Sequence, residues 1–282
     1  MEPGPDDWPD DEPVRRPARW VQVVAVVLVA AVVGGSIWFT VSAVRGASGP
    51  TGPVQVAYPP PDRSASKVPL GRPPTLPAGT TGPHVFSQVQ PGTGAPVAWD
   101  PCRTVGYVVN PTGSPPGGAQ LVSEAVARTS AATGLQFVDA GPTDERFSPD
   151  RRAYQPGRYG NRWAPVLITW ADGSTVPELA GNVLGVGGAT SASAPDGQLV
   201  FVSGVLALDA ADVAATQAQA DGTARARAIV QHELGHLVGL GHVGDPRELM
   251  FTEESPLQTD DWGSGDRVGL ARLGRGRCFP DM

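Results

Sequence analysis

Three of the four histidines in this 282-residue chain fall within one short stretch, His232, His236 and His242. That stretch reads His232-Glu233-Leu234-Gly235-His236-Leu237-Val238-Gly239-Leu240-Gly241-His242, an H-E-x-x-H-x-x-G-x-x-H pattern. Residues four apart on an α-helix share a face, one turn above the other. His232 and His236 can therefore offer two imidazole nitrogens to one metal ion. Glu233 sits roughly 100° round the helix from His232, within reach of a water at the metal without being a ligand. Gly239 can take the left-handed conformation that ends a helix and turns the chain. The turn would bring His242 back as a third ligand.

Three neutral imidazoles with one open position describe a catalytic zinc site, not a closed structural one. Zinc acidifies water and polarises a carbonyl oxygen, while a nearby carboxylate handles the proton. The bland alternative is a helix that happens to carry histidines; so full a match leaves it little room.

The pattern resembles the metzincin metalloproteases, which place a methionine in a tight turn beneath the zinc. Here Met250 follows in Arg247-Glu248-Leu249-Met250-Phe251, a spacing similar to the matrixin branch. Thr252 stands where matrixins usually have Pro, and Val243 where the better-known ones have Ser. The resemblance implies that Glu233 is the catalytic base and that an edge strand within about Leu179–Ser191 holds an extended peptide substrate. It further implies that Asp266, in the last helix, anchors the turn below the metal. Well-known matrixins also carry a structural zinc. A structural zinc needs extra histidines and none lies in the region that would hold it, so one catalytic Zn²⁺ per chain is expected. Calcium is possible at Asp172, Asp196 or Asp209 but unsupported, since lone aspartates near glycines usually form turns.

The elements that must position these residues follow from pattern. Asp221-Gly222-Thr223 opens the zinc helix, with Asp221 or Thr223 as N-cap. Val85–Val89, Arg103–Asn110, Leu135–Val138, Val166–Trp170 and Leu199–Leu208 read as strands, rich in β-branched and aromatic residues. Ala119–Thr133 carries apolar residues at helical spacing and stops at Gly134. Arg146 to Arg162 reads as an exposed loop. Gly181, Gly185, Gly187 and Gly188, interleaved with Val183, Leu184 and Val186, suggest a softened edge strand, whose free N–H and C=O groups can pair with a peptide. A short terminal helix begins at Ser264-Gly265-Asp266. The fold class expected is α+β. The resemblance implies a metzincin-like zincin fold: a twisted, mostly parallel sheet with an antiparallel edge strand, packed on the active-site helix and a second long helix. A small C-terminal subdomain would hold the Met turn and the short terminal helix.

Upstream of this domain the composition changes. Residues 1–19 are polar, acidic and Pro-rich, too poor in apolar surface to offset ordering entropy, and read as a disordered cytoplasmic tail. No charge occurs from Trp20 to Val44, enough residues to span a bilayer. Arg15, Arg16 and Arg19 before it favour a cytoplasmic N-terminus. Residues 20–44 are thus read as a transmembrane signal anchor. A cleaved signal peptide ending near Val41-Ser42-Ala43 is the competing reading, and it would make the protein secreted. Residues 45–83 are Pro/Gly-rich and read as an extended linker; 84–282 form the metalloprotease domain. His84 reads as an exposed or cap residue.

The formal net charge of −7 and the absence of a basic cluster argue against nucleic acid. An exported chain with two cysteines most simply pairs them, Cys102 with Cys278. The alternative, a Cys102 thiolate capping the zinc, lacks the matrixin switch context. The combined expectation is a zinc-dependent metalloendopeptidase acting on peptides or proteins outside the cell. Two other readings use the same residues: a catalytically silent, surface-anchored binding protein, and an amidase acting on cell-wall peptides.

Overall fold

The computed structural model describes residues 58–60, 65–251 and 259–282. The expected tail, the apolar span 20–44, the first part of the linker and Thr252 lie outside the described residues. Among those described, no helix is long and apolar enough to cross a membrane.

In chain order the elements are β1 (Val85–Phe86), β2 (Val105–Asn110), α1 (Gly118–Thr133), β3 (Phe137–Pro142), α2 (Pro156–Tyr159) and β4 (Val166–Ala171). There follow a 3₁₀ turn (Pro177–Leu179), β5 (Gly185–Ser193), β6 (Leu199–Asp209), α3 (Ala210–Gln217), α4 (Gly222–Val238), β7 (Leu240–Gly241) and α5 (Ser264–Leu273). The main sheet has the order β3-β2-β4-β6-β5. β2 pairs parallel with β3 and β4, β4 parallel with β6, and β5 antiparallel with β6 at the edge. This is the α+β, mostly parallel arrangement with an antiparallel edge strand that the resemblance implies.

Strand alternation sorts the core into two faces. Val105, Tyr107, Val166, Ile168, Trp170, Leu206 and Leu208 point to the helical side, where Leu121, Val122 and Ala125 of α1 and Leu234 and Leu237 of α4 meet them. On the opposite face Ala207 packs with Val176 and Leu179. α1 lies against α4, and α4 against β5 and β6. The helix that carries the histidine motif is therefore a central packing element of the domain, contacted by α1, β5 and β6.

Four features depart from the pattern reading. Val85–Val89 was expected in the sheet, but only Val85–Phe86 is strand, and it pairs with β7 instead. α3 follows β6 directly and was not expected: it buries only Val213, so it has no apolar stripe to reveal it. β3 runs on to Pro142 because parallel pairing with β2 holds residues whose own side chains are largely exposed. Asp221 does stand at the N-cap of α4, but in a left-handed conformation (φ 56°) with no side-chain cap bond. Within the Pro/Gly-rich stretch, Ser66 N–H donates to Cys102 O at 3.2 Å and Leu70 N–H to Pro101 O at 2.9 Å. Gly71 and Gly134 touch backbone to backbone: a β-carbon at Gly71 would sit 2.2 Å from Gly134 O. Proline spacing predicts an extended chain but not the surface it lies on.

Cys102 and Cys278 are disulfide-bonded, with Cα atoms 5.4 Å apart across a separation of 176 residues. Asp100 seats the join: its Oδ1 accepts from Cys102 N–H and its Oδ2 from Phe279 N–H.

Candidate metal centre

α4 is built from Ala224, Ala226, Ala228 and other good helix formers, and it stops where Gly239 turns left-handed (φ 116°). Gly239 N–H satisfies Gly235 O and His236 O, both at 3.1 Å. The chain then doubles back, and His242 returns over the helix. The three Nε2 atoms converge: His242 Nε2 lies 3.1 Å from that of His232 and 3.0 Å from that of His236. Four tetrahedral ligands at zinc–nitrogen distance would stand about 3.3 Å apart, so the spacing is that of a ligand set.

The far sides of two rings settle which nitrogens face inward. His232 Nδ1 donates to Leu249 O at 2.6 Å, and His236 Nδ1 to Leu240 O at 3.0 Å. A carbonyl can only accept, so both protons lie on Nδ1 and both Nε2 atoms present lone pairs. Both lone pairs converge on the His242 ring nitrogen, a donor set suited to a cation. This is the observation that the donor set fits a metal. Burial, and for His232 and His236 also the neighbouring histidines, disfavours the charged form of the rings. The His232 pKa falls to about 4, that of His236 well below its usual value, and that of His242 is lowered by burial. Neutral imidazole is the ligand form.

Glu233 is buried, 5% exposed, and burial without an opposing charge pushes its carboxyl up to about 8. It lies against the first residue of β5: a β-carbon at Gly185 would fall 2.6 Å from Glu233 Cγ. The Glu233 side chain and the sheet edge thus meet at a glycine.

Below the histidines, Met250 is buried under Gly235, where a β-carbon would meet its Sδ at 2.4 Å. The turn is tied on both sides. Val243 N–H donates to Met250 O at 2.9 Å. Asp266 Oδ2 accepts Leu249 N–H at 2.5 Å and Gly263 N–H at 3.0 Å. Burial lifts the Asp266 carboxyl to about 6. Pattern reading missed Glu248, 2% exposed, whose two oxygens accept Gly265 N–H and Asp266 N–H at 2.9 Å each. The available signal was an acid just upstream of a methionine turn that precedes a helix start lacking a Ser, Thr or Asn cap.

Among the described residues one other donor group converges, Asp100 with Cys102 and Cys278, and its sulfurs are consumed in the disulfide. Asp172, Asp196 and Asp209 do not converge. Asp172 forms a turn with Ser174 and Thr175, Asp196 pairs with Arg277, and Asp209 caps α3 through Asp212 N–H. His84 Nδ1 bonds Gly82 O, and its ring packs on Phe86, away from the three ligands.

The matrixin family model matches residues 178–267, from the 3₁₀ turn through the start of α5 and including all three histidines, Glu233 and Met250. Over that stretch the chain is similar to the matrixin metalloproteases. Zinc-dependent peptidase activity is what a matrixin match supports, with a peptide or protein as substrate. No curated relative matches the chain. Among solved structures, archaemetzincin from Methanopyrus kandleri is 15% identical with a TM-score of 0.37, covering 71% of this chain and 98% of its own. Metalloproteinase-II from Bacteroides fragilis is 16% identical with a TM-score of 0.36, covering 65% of this chain and 58% of its own.

Proposed function

We propose that this metzincin-like domain is a zinc endopeptidase in which His232, His236 and His242 hold the ion and Glu233 is the general base. The convergence of His232 Nε2 and His236 Nε2 on His242 Nε2, at 3.1 and 3.0 Å, carries the reading. A zinc ion there supplies Lewis-acid polarisation of a peptide carbonyl and acidifies water. The chain's own residues do the rest. Glu233, set between α4 and the start of β5, accepts a proton from the attacking water and passes it to the departing amine. A nearby divalent charge favours its ionised form and so opposes the burial that holds it protonated. The free edge of β5 offers backbone donors and acceptors to an extended peptide, aligning its carbonyl with the histidines. Leu249 O and Leu240 O orient two ligand rings, and support of this kind also raises imidazole basicity.

The placement proposed is outside the cell, tethered through residues 20–44. The uncharged run behind three arginines supports it, as does a disulfide, which persists in oxidising compartments. Glu233→Gln tests the role of the base: zinc content should be kept while peptide hydrolysis falls by about 10²–10⁴-fold. Hydrolysis at the unaltered rate would remove Glu233 from the mechanism. Protease access to the domain in intact cells tests the placement, and protection until lysis would reverse it.

A further inference from the structure

His242 is the one proposed ligand that lies off the helix, so its position depends on the connection that carries it. That connection is held from an unexpected direction. β1 pairs antiparallel with β7, Val85 opposite Gly241 and Phe86 opposite Leu240, directly before His242. Ser87 N–H adds a bond to Gly239 O at 2.9 Å. Val85 Cγ1 approaches Gly241 so closely that a β-carbon there would be 3.3 Å away. Among the described residues no other strand pairs with β7. Leu240 and Gly241 are buried beneath this cover, whereas Val85 itself is 42% exposed.

We propose that Val85–Ser87 is a positioning strand for the third metal ligand, and that metal retention is coupled to the seating of the segment that leads into the domain. The inference rests on the reading of the three histidines as ligands. Without β1, residues 239–241 lose this pairing, and metal binding must re-order the connection to His242 at an entropic cost. Coupling is reciprocal: if β1 favours metal binding, bound metal must favour β1 pairing. The upstream contacts of Ser66 and Leu70 touch the disulfide region instead and should not feel the metal.

The test uses the full chain in detergent, with zinc alone as ligand and a chromogenic chelator as competitor. Ser87→Pro removes the N–H that bonds Gly239 O, Ser87→Ala keeps it, and Thr80→Pro removes an exposed donor in the same strap without touching β7. Ser87→Pro should weaken zinc binding about 10-fold, the lower end for loss of a supporting contact, while Ser87→Ala and Thr80→Pro stay within about twofold. In the unaltered protein, zinc should slow amide exchange at residues 85–87 and leave the Ser66 and Leu70 amides unchanged. Unchanged exchange at 85–87 overturns the proposal, and this measurement decides alone if Ser87→Pro fails to fold. A folded Ser87→Pro with native affinity, while His242→Ala binds weakly, overturns the proposal and leaves the ligand reading standing. Failure of the unaltered chain to bind zinc defeats both.

Discussion

Gly185→Ala tests the contact between the sheet edge and the proposed base. The new methyl would stand 2.6 Å from Glu233 Cγ, 2.7 Å from Cδ and 2.9 Å from Oε1. Carbon atoms in ordinary contact are about 3.5–4.0 Å apart, so something must retreat by about 1 Å. The strand cannot easily do so, because Gly185 is registered opposite Leu208 in the β5–β6 pair. Glu233 is the end of a side chain and yields first. A displacement of about 1 Å in a catalytic group can cost about 10²-fold in rate. The expected result is a kcat lowered about 100-fold with zinc content unchanged, since no ligand is touched. A quenched fluorescent peptide gives kcat, and elemental analysis gives the metal. Gly188→Ala is the control on the same strand, where an added β-carbon meets nothing within 4 Å. A Gly185→Ala enzyme with native kcat would refute the placement of Glu233 at the reacting atoms. An equal loss in Gly188→Ala would assign the effect to substrate pairing instead.

Three further outcomes follow from the same geometry. Between its unfolded value near 4.5 and about 8, the Glu233 carboxyl stays protonated in the folded, metal-free chain. The folded state then binds the extra proton, so this group lowers stability as pH rises through that window. Metal-free Glu233→Gln should accordingly gain on the unaltered protein from pH 4.5 to 8, by at most roughly 5 kcal/mol; paired denaturant titrations with no pH-dependent gap would contradict it. Glu248→Ala strips two buried amides of their acceptors, at about 1–3 kcal/mol each, and should lower the unfolding midpoint and loosen the Met250 turn; an unchanged midpoint would mean that other groups satisfy those amides. Cys278→Ser opens the large disulfide loop and should cost about 2–5 kcal/mol in thermal or denaturant unfolding, while kcat per folded molecule holds; a kcat loss larger than the folded fraction explains would tie the disulfide to the site.

The site was legible because its spacing is dictated by one helix and one turn. His232 and His236 need only the 3.6-residue period, and Gly239 supplies the reversal that returns His242. Met250 and Asp266 were reached through a family resemblance, and the structure puts Met250 against Gly235 of α4 and Asp266 on the Leu249 amide. The sheet was legible where strands are buried on both faces, as in Val166–Ala171. What escaped depends on partners distant in sequence. Nothing in Val85-Phe86 says that it will pair with Leu240-Gly241 rather than join the main sheet. The short helix after Asp209 buries one residue and has no period to read. Glu248 escaped because its partners, two amides at the start of α5, are met only once the turn has formed.

The central claim is best met by one paired measurement on the purified full chain: metal content by elemental analysis, and digestion of a mixed-protein substrate with and without a chelator. The account predicts about one zinc per chain, and cleavage that stops with the chelator and returns with added zinc. Bound zinc without cleavage would contradict the assignment of an endopeptidase, and cleavage indifferent to the chelator would contradict the metal centre itself.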